Sequence, residues 1–350
     1  MATYNGEKYI REQLDSLAAQ TLLPCELVVT DDGSTDLTLE IIAEFACTSP
    51  FPINVHKNLR RLGYADNFLK AAGLCRGDLI AFCDQDDIWL ERKLAICTEQ
   101  FSDPEILICV HSSQAYYGAG RFGKYVPHFT RDRVIPAATA DSLSNHVGFS
   151  TVIRRSLLDV ANNNVRPDDR NTLEREPVPM AHDQWIWFIG SIFGKVSVIS
   201  EVLCLYRQHD NNIFGVRSGS TPLTTRLRLD RSVYGVGGQY RLHAQYERGC
   251  ACFIEELSTE LPEVLQERAR NAACKLRARA TLNELRQELY NRHSPLAVRL
   301  PAFCKILISS GYFANRFEFS FGTQAFFKDF LLALSGANRF FGTSPKRHAR

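Results

Sequence analysis

Two short apolar runs early in the chain end in clustered acids: ELVVTDD at residues 26–32 and DLIAFCDQDD at residues 78–87. Runs of this length without polar alternation read as strands buried on both faces, the habit of parallel sheets covered by helices. The segments around them have the complementary period. EKYIREQLDSL places Ile10, Leu14, Leu17 and Ala18 on one helical stripe. STDLTLEIIAEFA does the same with Leu37, Ile41, Ile42 and Phe45 behind capping residues. INVH and LICVHSS read as further strands, GYADNFLKAAGL and WLERKLAICTEQF as further helices. Alternation of this kind gives βαβ units, whose right-handed crossovers run the strands parallel and bring their carboxyl ends to one edge. The expected fold is α/β: a mostly parallel, Rossmann-like central sheet with flanking helices, followed by a helical C-terminal extension.

The rhythm breaks after about residue 112. GFSTVIRRSLL suggests a strand leading into a helix, and ANNNVRPDDRNTLEREPVP, polar and proline-containing, reads as a mobile loop. HDQWIWFIGSIFG is a strongly apolar helix in which Trp185 and Trp187 read as core, or as a platform for a second substrate. KVSVISEVLCLYRQHDNN reads as two strands or a hairpin-like return. From about residue 222 the pattern is helical and arginine-rich, ending in the basic tail SPKRHAR. Two regions are expected, 1–214 and 215–350. Only Met1 and Ala2 precede TYNG, so the first strand is expected to be mostly missing, with the true start upstream or the chain truncated.

Charge divides at the same place. Residues 1–214 carry 20 Lys and Arg against 28 Asp and Glu, whereas residues 215–350 carry 21 against 11. The acidic first region argues against a nucleic-acid partner, and no recognition motif for one is present. The basic second region suits an anionic partner or a solvated helix surface. No apolar stretch reaches the roughly 18 residues of a membrane span, and MATYNGEKYI is too polar for a signal peptide. The eleven cysteines are scattered, which reads as reduced thiols in a cytoplasmic protein. No GxxxxGK[ST] loop supports a phosphoryl-transfer enzyme.

In an open α/β sheet ligands bind beyond the carboxyl ends of the strands. Asp31 and Asp32 end one strand, and Asp84, Asp86 and Asp87 follow another. Helix capping could account for Asp36 and Asp87, but one cap needs one side chain, so it leaves most of the acids unexplained. Hard oxygen ligands in a short cluster suit Mg²⁺ or Mn²⁺, which keep open positions for phosphate oxygens.

TYNG, DDGSTD, DQDD, HDQW and YRQHDNN, in that order over residues 1–214, resemble the family-2 glycosyltransferases with the A-type nucleotide-sugar fold. The DQDD form is similar to bacterial rhamnosyltransferase-like members. The resemblance implies that residues 1–214 form a catalytic domain in which Tyr4, beside Asn5, packs on a nucleobase. It implies that Asp32, more than Asp31, accepts a hydrogen bond from that base. Asp84 would serve the ribose and the metal side, and Asp86 would hold the metal. His209 would reach the metal or the diphosphate, or be an ordinary structural histidine. Arg207 would pair with phosphate oxygens, or form a surface ion pair. Asp183 would be the general base of an inverting transfer, although a plain helix cap is the alternative reading. His182 departs from the two acids that the family often has here.

The partners so implied are a nucleoside-diphosphate sugar and a glycan or lipid-linked acceptor. Lysine and arginine among bulky apolar residues in LPAFCKILISSGYFANRF and FFKDFLLALSG suit peripheral contact at the inner face of the membrane through residues 295–340, or an ordinary helical bundle. A non-catalytic nucleotide-binding or scaffold protein is the competing reading, to which a carboxylate at Asp183 would be of no use.

Overall fold

A computed structural model describes residues 1–144, 146–160, 165–170, 176–210, 212, 238–291, 293–309, 311–313 and 321–335. The chain divides into two compact units, residues 1–169 with 178–217, and residues 170–177 with 218–350.

The first unit opens with β1 (Ala2–Thr3), α1 (Ile10–Ala18), β2 (Leu27–Asp31), α2 (Thr38–Ala46) and β3 (Ile53–Lys57). The three strands form a parallel sheet in the order β1-β2-β3, with Ala2 opposite Thr30 and Thr3 opposite Asp31. The first strand is therefore present in short form. Every residue of β2 is buried, and Ile10, Leu14 and Leu17 of α1 turn inward to join Val29, Ile42 and Phe45 in one core. Next come α3 (Tyr64–Leu74), β4 (Leu79–Ala81), β5 (Ile88–Trp89), α4 (Lys93–Glu99) and β6 (Ile106–Tyr116), then β7 (Phe122–Tyr125), β8 (Arg133–Ile135), β9 (Thr151–Arg154) and α5 (Leu157–Val160). The unit closes with α6 (His182–Phe193) and β10 (Lys195–Arg207).

The second sheet runs β4-β9-β6-β10-β5, with β7 on β6 and β8 on β10; β6 and β10 are parallel and the other neighbours antiparallel. KVSVISEVLCLYR is one continuous strand, where the sequence suggested two or a hairpin. Its polar Ser200 and Glu201 fall at a register shift between Ile199 and Val202, and Asp132 accepts hydrogen bonds from Ser200 N–H and Oγ. A bulge thus absorbs the residues that looked like a turn. Helix α6 is buried on nearly every side, Trp185 and Trp187 included, which places both tryptophans in the core.

The second unit is helical in its described residues: Gly238–Leu257, Glu263–Tyr290, Leu296–Ile308, Thr323–Lys328 and a π-helical turn at Asp329–Leu334. Its centre is charged. Asp329, fully buried, accepts hydrogen bonds from Arg286 Nε and Nη2, each at 2.9 Å, and from the Tyr290 and Tyr312 hydroxyls. The tail SPKRHAR lies outside the described residues, as does much of the loop at 161–175.

Candidate active site

The edge where β1, β2 and β4 end collects the sequence motifs. TYNG follows β1. Asn5 takes a left-handed φ of +48°, and its side-chain oxygen accepts from Thr35 N–H at 2.9 Å. Gln85 holds TYNG against DQDD: its Oε1 accepts from Tyr4 N–H at 3.0 Å, and its Nε2 donates to the Tyr4 carbonyl at 3.1 Å. A Cβ on Gly6 would meet Gln85 Oε1 at 2.4 Å, so only glycine permits this approach. The Tyr4 ring is partly exposed, with the Arg61 guanidinium 4.0 Å from its centre.

The two acids after β2 serve different partners. Asp31 is buried and accepts from Thr3 Oγ1, Ser34 Oγ and the N–H groups of Gly33 and Ser34, which closes its own turn. Asp32 turns to the segment before α3, accepting from Asn58 Nδ2 at 2.9 Å, Leu62 N–H at 2.6 Å and Gly63 N–H at 2.8 Å. Asp36, one residue before the α2 cap position held by Leu37, accepts from Thr38 N–H and Oγ1 and from Glu7 N–H.

Strand β10 delivers YRQH to DQDD, because its antiparallel pairing with β5 sets Cys204 opposite Trp89 and Leu205 opposite Ile88. His209 Nε2 then lies 2.9 Å from Asp86 Oδ2, and Tyr9 stacks on the imidazole at 4.5 Å. Arg207 is buried. Its Nε donates to the Asp86 carbonyl at 2.7 Å, its Nη2 meets Glu12 at 2.5 Å, and Tyr9 and Tyr116 flank the guanidinium. These protein partners occupy the group expected to meet phosphate. Asp87 is buried and caps no helix; it accepts from Arg207 N–H at 3.0 Å. Burial first, then the charges of Asp84 and Asp86, hold its carboxyl well above the ordinary range. Burial, Asp86 and Asp183 push Asp84 up to about 7. Behind the acids Lys93 is fully buried, donating to the Phe149 carbonyl at 2.7 Å with its ammonium 3.5 Å from the Trp89 ring centre. Its charge partly offsets theirs.

Asp183 lies in the first turn of α6, one residue past the helix start. Ala181 holds the cap position, so Asp183 is not the N-cap. Burial pushes its carboxyl up to about 6, and its charge is felt at Asp84 and Tyr64.

A divalent cation would find an acid oxygen and an imidazole nitrogen already facing each other in Asp86 and His209, donor types that Mn²⁺ and Mg²⁺ accept beside oxygen ligands. Among the described residues no three His, Cys, Asp or Glu stand together as a metal cage. Two protein donors leave the remaining positions to water or phosphate. Sequence reading missed Gln85, Lys93, Tyr9 and Glu12.

The model for glycosyl transferase family 2 matches residues 1–160. The dTDP-rhamnosyl transferase RfbG of Shigella flexneri is 32% identical over 247 residues, covering 66% of this chain and 79% of that protein. An uncharacterised protein of Mycobacterium tuberculosis is 28% identical over 217 residues, and the chain spans 58% of its length. Among solved structures, residues 1–349 of S. aureus TarS, in complex with UDP-GlcNAc, superpose with a TM-score of 0.51 at 18% identity, covering 89% of this chain and 91% of that one. The fold is shared at that distance, and the family follows from sequence: the chain belongs to glycosyl transferase family 2.

Proposed function

We propose that the chain is an inverting, metal-dependent glycosyltransferase that moves a sugar from a nucleoside diphosphate to a hydroxyl of a glycan or lipid-linked acceptor. The observation that carries this is the Asp86–His209 pair at 2.9 Å, next to Asp84, which feels the charge of Asp183. A cation bound there would neutralise charge on the departing diphosphate. Tyr4 offers its ring to the base, and Asp32 stiffens the segment that carries Arg61 beside it. Asp84, which feels the charges of both Asp86 and Asp183, would meet a ribose or donor-sugar hydroxyl. Arg207, with Glu12 and Tyr9, aims the Asp86–His209 pair. Asp183, with a carboxyl near neutrality, takes the acceptor proton as the hydroxyl attacks the anomeric carbon. The named activity of the Shigella relative supports a dTDP-linked deoxyhexose as donor.

The second unit supplies the acceptor side of the reading. No helix among the described residues is long and apolar enough to cross a membrane. By sequence, residues 296–350 hold eight Lys and Arg against two Asp and Glu; among the described residues Leu296, Leu300, Lys305, Ile308, Phe327, Phe330 and Leu331 are exposed or partly exposed, while Arg299 is buried. This composition, with its exposed apolar residues, suits peripheral contact with anionic lipid, where a lipid-linked acceptor resides.

A panel of nucleotide sugars with Mn²⁺, Mg²⁺ or EDTA tests the proposal. Slow metal-dependent release of one nucleoside diphosphate, abolished in Asp86→Ala, is expected. Nucleotide binding without metal and without release from any donor would favour a non-catalytic module.

A further inference from the structure

Four buried nitrogen atoms at and near the head of α6 have no hydrogen-bond partner: Nε and Nη1 of Arg166, and both ring nitrogens of His182, whose imidazole feels the Arg166 charge. Arg166 stands in the segment leading to α6, next to a short antiparallel pairing in which Asp168 bridges Pro179 and Met180 N–H donates to the Pro167 carbonyl at 2.8 Å. Its side chain is 6% exposed, and Nη2 is anchored on Asp66 of α3 at 2.5 Å. His182 stacks on Phe68 of the same helix at 4.2 Å. Burial, and then the Arg166 charge, push its imidazole down to about 3, so one ring nitrogen donates and the other accepts.

Guanidinium N–H groups are seldom buried without acceptors, because the lost hydration is costly. An apolar side chain of similar size would fill this position at lower cost. Asp66 satisfies one nitrogen and leaves the others in want of oxygen. A planar guanidinium matches carboxylate and phosphate, and a neutral imidazole adds a further donor. His182 immediately precedes Asp183 at the head of α6, so a group held by Arg166 and His182 would belong to the acceptor that Asp183 serves. Resting on the reading of Asp183 as the base, we propose that Arg166 with His182 forms a subsite for an oxyanion of the acceptor, a phosphate or a carboxylate.

Calorimetric titration of the full chain in EDTA, with inorganic phosphate and with acetate as separate ligands, tests this on wild type, Asp86→Ala and Arg166→Met. One ion is expected to bind wild type and Asp86→Ala alike and to weaken at least tenfold in Arg166→Met. The tighter ion then names the source of the oxyanion. Equal binding in Arg166→Met, binding by neither ion, or loss in Asp86→Ala alone would each overturn the proposal. The ion-free melting temperature of Arg166→Met is expected at or above that of wild type. A fall of several degrees, or failure to fold, would instead make Arg166 a strut for its loop. Arg166→Lys keeps the charge without the planar fork and should bind at an intermediate level. Donor hydrolysis by wild type is scored apart, so its failure would sink the donor reading while the ion titrations still stand.

Discussion

Replacing Asp183 with Asn should make the enzyme more stable and nearly inactive at the same time. The carboxyl is held at about 6 against an ordinary 3.8, chiefly by burial. A carboxyl whose affinity for the proton rises on folding favours the fold when protonated and burdens it when ionised. The burden is absent below pH 4, grows between pH 4 and 6, and is complete above about 6. Two units at 1.36 kcal/mol each give about 3 kcal/mol, and the partial exposure of the side chain trims this to about 1–2 kcal/mol. Asn carries no charge, so Asp183→Asn should match wild type near pH 4 and exceed it by about 1–2 kcal/mol at pH 7.5. In a unit of this size that corresponds to a rise of roughly 2–8 °C in melting temperature. Asp84 should ionise more readily in the same variant, since Asp183 is one of the charges that raise it. On the proposed reading of Asp183 as the base, transfer should fall by about 10²–10⁴, the usual worth of such a group, and the wild-type rate should climb with pH to a plateau above about 6. The assays are thermal melts of both proteins from pH 4 to 8 and product formation over the same range. A variant less stable than wild type at pH 7.5, or one retaining a tenth of the activity, would refute the reasoning.

Further consequences concern the metal, the base and the second unit. Arg207→Met and Glu12→Gln should each weaken Mn²⁺ binding about 10–100-fold by freeing the Asp86–His209 pair, read by paramagnetic resonance titration; Arg207→Lys should not restore it, lacking the planar contact with Tyr9 and Tyr116. Tyr4→Ala should cost about 1–3 kcal/mol in nucleotide affinity by calorimetry, with no change in Mn²⁺ affinity alone. Asp329→Asn should destabilise the helical unit by about 3–5 kcal/mol in urea unfolding, because Arg286 would keep its burial and lose its counter-charge.

What the sequence discloses and what it conceals separate along one physical line. Strand β2 and the acids behind it are legible because a run such as LVVTD declares its burial by its own composition, and the chain's next atoms must then stand at the sheet's edge. The division of labour between Asp31 and Asp32 is not legible, since Asp32 takes its partners from Asn58, Leu62 and Gly63, some thirty residues away. Lys93 was hidden for a similar reason. A lysine in a helix reads as solvated, and its burial depends on Phe149 and Trp89 being brought to it by two other elements. Arg207 and His209, two apart on YRQH, lie where a strand's alternation would put them, beside the same acid. Yet the imidazole meets the Asp86 carboxylate while the guanidinium takes its carbonyl and Glu12. Residue type and spacing predicted the neighbourhood, and the competition among neighbours decided the role. Arg166 carries the point furthest. Nothing in ANNNVRPDDRNTLEREPVP distinguishes one arginine from another. It is the contrast between its buried position and its unfilled hydrogen bonds that marks it.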